Sequence, residues 1–316
     1  MRRFKVYLLS LVIAFFISGC VEKEINYLNI GTNPWLGYET LYLARSLGYF
    51  EKTPVRFIEL GSATAVSQAF KHELLDVAAL TLDETLTLMQ TEPDIRVILV
   101  LDVSRGADAL LVSPDIKQLS ALKGKRIGVE NSAVGAVMLS AALDAASLTI
   151  ADVDLIPLTV DQHLLAYKKD LVDAVVSFEP MKTRLIKEQA HVLFDSSQLE
   201  GQIVDVLVTR QSVIEKRPEV LLNLVQMYFQ AHTYLSVHQQ DAVSRIMPRL
   251  SLDHNEILNG YKDLELADRQ INQNLLSGKK PNLLITVDKL MLLMLERELL
   301  SKNFPHTLLI TDEFIQ

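Results

Sequence analysis

The sequence predicts an α/β protein, on three observations. Short apolar or alternating runs recur at Tyr27–Ile30, Val55–Leu60, Asp76–Leu80 and Ile95–Leu101. Segments with helical spacing separate them, at Glu39–Leu47, Ala63–Phe70 and Leu82–Met89. Glycines punctuate the series at Gly31, Gly48 and Gly61. Short strands alternating with helices of about 8–12 residues are the pattern of βαβ units and an α/β sheet.

Asp102–Asp108 interrupts the rhythm with Ser, Arg and Gly, and a second series follows. It predicts strands at Ala109–Val112, Arg126–Val129, Val153–Ile156, Ala174–Val176 and Val192–Phe194. Its clearest helices are Gly135–Ala146 and Met181–Gln189, and Ile203–Thr209 is a further apolar strand. From Pro218, a residue suited to the first turn of a helix, the chain reads as mostly helical to about Ser301, with loop signals around Gly278–Pro281.

The two series share an echo. Glu73-Leu74-Leu75-Asp76-Val77-Ala78-Ala79-Leu80-Thr81-Leu82-Asp83-Glu84 resembles Asp170-Leu171-Val172-Asp173-Ala174-Val175-Val176-Ser177-Phe178-Glu179. Each is a helix end, an Asp, a buried strand, a hydroxyl residue and then an acid at a helix start. The offset differs by one residue, so this is not a strict repeat. Any two βα units look somewhat alike, but two similar lobes presenting equivalent loops to a shared cleft would also read this way. Ligands of open α/β sheets sit at the carboxyl ends of strands, where both loops fall.

The N-terminus is laid out as an export signal. Arg2, Arg3 and Lys5 precede an apolar run from Val6 to Ile17, and Ile17-Ser18-Gly19-Cys20 ends it. The run is short for a permanent membrane span, which needs roughly 20 residues. Ile17-Ser18-Gly19-Cys20 resembles a bacterial lipobox. That implies a signal peptide over 1–19, acylation of Cys20, and a tether over 20–26. Two or more acyl chains hold a protein on a membrane stably. Cys20 is the only cysteine, so it has no disulfide partner within the chain.

Composition narrows the function classes. The chain has 316 residues, 49% of them apolar, with 39 acidic and 31 basic side chains. Three of the bases lie in the leader, so the remainder is more acidic still, and nucleic acid is an unsuitable partner. No Walker-type phosphate loop and no Gly-x-Ser-x-Gly elbow occur. The seven histidines are scattered, with no His-Glu-x-x-His and no cysteine partners. His72 and His163 read as surface or helix residues. Neither a metal nor a cofactor is expected.

Four stretches together resemble the bacterial solute-binding proteins of the nitrate/sulfonate/taurine and thiamine-pyrimidine-precursor family. They are Asn33-Pro34-Trp35-Leu36-Gly37-Tyr38 through Gly48-Tyr49-Phe50; Gly61-Ser62-Ala63 with Leu75-Asp76-Val77-Ala78; Asp102 to Ala109 with Leu122 to Glu130; and Ser177-Phe178-Glu179-Pro180 with Val204 to Val208. Each is weakly specific, and their order and spacing carry the match across nearly all of the chain beyond the leader. The resemblance implies a two-lobed fold of the periplasmic-binding-protein type II class. Mixed sheets would be flanked by helices and joined by two hinge crossings, with a helical C-terminal part belonging to the first lobe. Placing the crossings near Asp102–Asp108 and Gly201–Asp205 gives lobe I as 27–103 plus 205–316 and lobe II as 104–204. Some relatives carry Trp where this chain has Phe178, which keeps a stacking face but loses the indole donor. Enzymes of thiamine-precursor synthesis share the fold but carry a cysteine-rich pattern that this chain lacks.

Trp35 and Tyr38 could form an aromatic wall for a flat or cationic ligand. Gly61-Ser62 and Ser132 open two helices whose free N–H groups suit a sulfonate, carboxylate or phosphate, although Ser62 and Ser132 could simply cap them. Asp83 and Glu179, with Glu84 beside the first, sit in the echo loops and together would make a cation site. Asp102, Asp108 and Asp205 cluster at the crossings, where hinge hydrogen bonding is as good an account as ligand contact. Phe178 completes the set. Acids in these loops would repel a bare anion, so an amine-bearing, zwitterionic or heteroaromatic ligand fits better than a simple oxyanion. The function expected is capture of a small ligand (amine-bearing, zwitterionic, sulfonate or heteroaromatic) between two closing lobes for an ABC permease, by a monomeric, membrane-anchored protein facing the periplasm or cell exterior. The alternative is a co-receptor that reports the same closure to a membrane sensor protein.

Overall fold

A computed structural model describes residues 26–199 and 201–316, so the leader and Cys20 lie outside the described residues. Two mixed sheets form the framework. The first is built from β1 (Leu28–Thr32), β2 (Val55–Glu59), β3 (Val77–Thr81) and β4 (Ile95–Ser104). The chain then enters a second sheet of β5 (Asp108–Val112), β6 (Arg126–Val129), β7 (Asp154–Pro157), β8 (Ala174–Phe178) and β9 (His191–Asp195). It returns through β10 (Val204–Arg210) and adds β11 (Leu264–Leu266) to the first sheet. The orders are β11-β4-β10-β3-β1-β2 and β7-β6-β8-β5-β9.

These orders give the echo a physical basis. In each sheet three strands run parallel, β2-β1-β3 and β7-β6-β8, and the next strand, β10 or β5, is antiparallel to the third. The echo strands β3 and β8 therefore occupy the same place. Their leading aspartates do the same work. Asp76 Oδ2 accepts the Asn29 N–H at 2.7 Å, and Asp173 Oδ2 accepts the Arg126 N–H at 2.8 Å. Each carboxylate stitches the start of its strand to the start of the neighbouring parallel strand. Both ties span 47 residues.

Helices flank both sheets. Those that position the cleft are α1 (Glu39–Ser46), α2 (Ala63–Lys71), α3 (Leu82–Met89), α4 (Ala133–Ala145), α5 (Val160–Lys168) and α6 (Met181–Lys187). The C-terminal part supplies α7 (Gln211–Lys216), α8 (Pro218–Val237), α9 (Gln239–Leu250), α10 (His254–Lys262), α11 (Arg269–Leu276) and α12 (Leu283–Glu296). Every residue of β3, β5 and β10 is buried, which is why these strands read as continuous apolar runs rather than alternating ones.

Three details depart from the sequence reading. β4 continues past Leu101 to Ser104, so Asp102 belongs to a strand and not to a loop. A register shift separates the Asp205–Asp102 and Val206–Val100 pairs, leaving Leu101 out of step. Such bulges re-aim the neighbouring side chain. Tyr228 and Asn272 from the helical region fill the gap. The Tyr228 hydroxyl donates to Leu101 O at 2.8 Å, while Asn272 bonds both the N–H and the C=O of Val100. Second, β11 interrupts the stretch read as helical. Third, His163 is on helix α5 but fully buried rather than at the surface, with Nδ1 3.1 Å from Ser177 Oγ. Burial depresses its pKa to about 4, so it is neutral.

Candidate functional site

The two sheets face each other across a cleft at the carboxyl ends of β1, β3 and β8. Its walls are Asn33, Trp35, Tyr38, Ala63, Thr81, Glu84 and Asp205 from one side, and Asp108, Val134 and Phe178 from the other. The space among them is about 20 Å³, room for about one water molecule. The lobes are shut, and any larger ligand requires them to part. Trp35 and Phe178 meet edge to face across the cleft, with ring centroids 5.6 Å apart. Gly37 permits the tight turn beneath them, since a Cβ there would lie 1.8 Å from Asp102 Oδ2. Gly260 on α10 gives way in the same manner, as a Cβ would lie 2.6 Å from Leu36 and 3.6 Å from Glu179 of the facing lobe.

Three acidic side chains, Glu84, Asp108 and Asp205, line this space, and others are buried near it. Asp83, Glu84, Asp102, Asp108, Glu130, Glu179 and Asp205 are all buried. Some are satisfied on one side. Asp102 Oδ2 accepts the Trp35 indole N–H at 3.1 Å, and Asp205 Oδ1 accepts the Tyr38 hydroxyl at 2.5 Å. Glu84 Oε2 accepts the Thr81 N–H at 3.1 Å, and the two Glu179 oxygens accept the N–H and hydroxyl of Thr183. Among the described residues, both oxygens of Asp83, Glu84 Oε1, Asp102 Oδ1, Asp108 Oδ2 and Glu130 Oε2 have no hydrogen-bond partner. A buried Lys182 adjoins the cluster, but it already donates to Gly106 O at 2.9 Å and Asp263 Oδ2 at 2.5 Å.

Burial raises the pKa of several of these groups. Asp108 is lifted to about 7, chiefly by desolvation, with Asp83 and Glu179 adding repulsion against the opposing pull of Lys182 and the Ser104 hydrogen bond. Desolvation likewise raises Glu84 and Asp102, each to about 8. Asp205 is raised by burial and then by Asp102, its cross-strand neighbour. Tyr38 is raised by burial and then by Asp205.

Of the residues singled out in the sequence, Trp35, Tyr38, Asp108, Phe178 and Asp205 line the cleft. Asp83 and Glu179 are buried beside it but are not part of its wall, and Glu84 takes the wall position that Asp83 was expected to hold. Gly61 is exposed at the entrance to α2. Ser62 and Ser132 are helix caps, accepting from Ala65 and Gly135 N–H groups at 3.2 Å each. Ser132 borders a different and larger cavity of about 720 Å³, walled by Leu139, Leu143, Ile150 and Leu155 and reaching Arg297 and Leu299. That groove runs along α4 and carries two carboxyls, Glu130 and Asp144.

Contacts between the lobes hold the cleft shut. Lys182 reaches Asp263, Lys187 Nζ is 2.6 Å from Glu256 Oε1, and Arg184 donates to Leu250 O at 2.6 Å. Arg297 pairs with Asp144 on another side. Among the described residues no helix is long and apolar enough to cross a membrane.

The family described as NMT1-like matches residues 22–250. Comparison with curated proteins finds no match. Solved structures share the fold at low identity. The alkanesulfonate-binding protein SsuA from Xanthomonas axonopodis pv. citri, bound to MOPS, is 15% identical with a TM-score of 0.73, over 90% of this chain and 96% of that one. The periplasmic aliphatic sulphonate binding protein SsuA from Escherichia coli is 17% identical with a TM-score of 0.72, over 90% and 92%. The desulfurization enzyme DSZB is 17% identical with a TM-score of 0.65, over 91% and 97%. The match over well more than half the chain, together with the two sheets and their interlobe cleft, places this protein in the NMT1-like family, with the fold of periplasmic binding proteins.

Proposed function

We propose that the protein is a lipid-anchored, extracytoplasmic solute-binding component of an ABC importer, and that its ligand is a small organic cation or zwitterion carrying an amine. One observation carries the choice of ligand. Glu84 from one lobe and Asp108 from the other line the same cleft, and each has an oxygen without a partner. A protonated amine between them would satisfy both at once. The aromatic edges of Trp35, Tyr38 and Phe178 suit its apolar part.

Closure follows from the same charges. With the ligand absent, bringing Asp108 and Glu179 toward Glu84, Asp102 and Asp205 in a dry cleft requires protonation or repulsion. With an ammonium between them the shut state becomes favourable. The ligand thus binds the two states unequally, as any ligand-driven shift requires. Parting and closing about the crossings at Ser104 and Val204 is a hinge motion of the kind that periplasmic binding proteins use.

The experiment is calorimetry on the protein lacking residues 1–20, with putrescine, spermidine, glycine betaine, taurine and methanesulfonate as probes. Binding of at least one amine-bearing probe is expected, with a change in fluorescence from the sole tryptophan, Trp35. Binding of methanesulfonate alone, unaffected by Asp108→Asn, would overturn the reading. The anchor is tested separately. The full-length protein should stay in the membrane fraction with acyl mass on Cys20, and Cys20→Ser should appear in the soluble fraction. Membrane retention of Cys20→Ser would argue against lipidation.

A further inference from the structure

Helix α2 begins at the cleft, and the N–H groups of Thr64 and Ala65 in its first turn are spoken for. Ser62 Oγ takes Ala65 N–H. Thr64 N–H is taken by Glu130 Oε1 at 3.1 Å, and the Thr64 hydroxyl donates to the same oxygen at 2.8 Å. Glu130 comes from the other lobe, at the carboxyl end of β6, 66 residues away in sequence. The Thr64 hydroxyl also lies 3.3 Å from Asn131 O, so Thr64 is seated against that strand end. Glu130 is 5% exposed, and its second oxygen has no partner among the described residues.

A helix N-terminus is a ready site for an oxyanion. Here a carboxylate of the chain itself fills it, and it does so only when the lobes are together, because the helix and the glutamate belong to opposite sides of the cleft. We infer that Glu130 is an internal anion with two consequences. It latches the shut state, and it denies the N-terminus of α2 to free sulfonates, sulfate or carboxylates. This specificity element rests on the proposed role as a closing solute-binder, and it explains physically why an oxyanion would be a poor ligand for this chain. The carboxylate is an acceptor only, so it competes directly with an incoming oxyanion for the same N–H and hydroxyl.

The test uses Glu130→Ala and Glu130→Gln in the protein lacking residues 1–20, titrated with methanesulfonate and sulfate against chloride at fixed ionic strength. In the parent protein, Tm should show no saturable response to methanesulfonate or sulfate, only the gradual rise with concentration that sulfate gives by exclusion from protein surfaces. Glu130→Ala should gain a saturable rise in Tm that is specific to methanesulfonate or sulfate. Its affinity for the amine probe that the parent binds should fall about tenfold. Small-angle scattering should show a larger radius of gyration with that probe present at the concentration that shuts the parent. Glu130→Gln, which keeps an acceptor for Thr64, should retain closure and gain no anion response. Absence of an anion-specific response in Glu130→Ala overturns the exclusion, and unchanged amine affinity and radius overturn the latch. The anion arm needs no amine ligand, so its outcome stands apart from whether the parent binds amines.

Discussion

Replacing Glu84 by glutamine and Asp108 by asparagine together is expected to weaken amine binding by at least about 100-fold. A hydrogen bond to a charged group contributes about 1.5–3 kcal/mol, and about 1.4 kcal/mol is a factor of ten. Each carboxylate should therefore account for roughly tenfold or more on its own. The substitutions change charge but hardly change shape. Glu84→Gln keeps an oxygen for the Thr81 N–H, and Asp108→Asn keeps the backbone bond to Ser104 Oγ at 3.2 Å. The ligand-free double variant should be at least as stable as the parent, since two groups that resist ionisation when buried are gone. Calorimetry and thermal unfolding on the same samples give both numbers. A variant that retains its affinity, or loses it only together with a lowered Tm, would remove these two carboxylates from ligand recognition.

The ligand-free protein should lose stability as pH rises from about 6.5 to 8.5, the reverse of ordinary acid denaturation. An exposed carboxyl in the unfolded chain gives up its proton near pH 4. In the fold, burial keeps Asp108 protonated to about 7 and Glu84 and Asp102 to about 8. Over this range the folded state binds more protons than the unfolded state, so stability is present below the unfolded pKa values and is lost as pH rises through the folded ones. Buried His163 acts oppositely. Its folded pKa is depressed to about 4, so it costs stability as pH falls below about 6.5. Above 6.5 the carboxyls act without that offset. The effect is about 1.4 kcal/mol per pH unit for each proton held. A bound ammonium inverts it, because the ligand favours the ionised forms. Amine affinity should therefore rise with pH across the same window, with protons released on binding. Calorimetry in buffers of different ionisation enthalpy counts those protons. A Tm that climbs from pH 6.5 to 8.5 without ligand, or an affinity flat across it, would show that the cleft acids are already ionised.

The framework was legible because its signals are local. The mostly apolar runs of β3 and β8 are each led by an aspartate, and the matching sheet orders explain why they look alike. The small strand β11 was not legible, being three residues within helical surroundings. The cleft was legible in part. Trp35, Tyr38, Asp108 and Asp205 follow strand ends or crossings, where topology alone directs attention. Glu84 was passed over for Asp83 because a capping acid at a helix start needs no further role, yet it is a cap through one oxygen and cleft wall through the other. Glu130 carries no local signal of its own at the end of its strand. Its partner is Thr64, and nothing local in either segment announces a bond across 66 residues. The same omission explains why the N-terminus of α2 read as an open anion site.

The meeting of β4 and β10 has a consequence for how such a chain can be cut. These strands are antiparallel neighbours, with Val204 opposite Val103. The ends of the intervening segment therefore leave and rejoin the first sheet at adjacent positions, about 5 Å apart by strand geometry. The second sheet and its helices are in effect a cassette plugged into a single socket. A two-residue turn joining the strands there would close a β-hairpin, and a cassette with a different cleft face could be spliced in without disturbing the register below Val103.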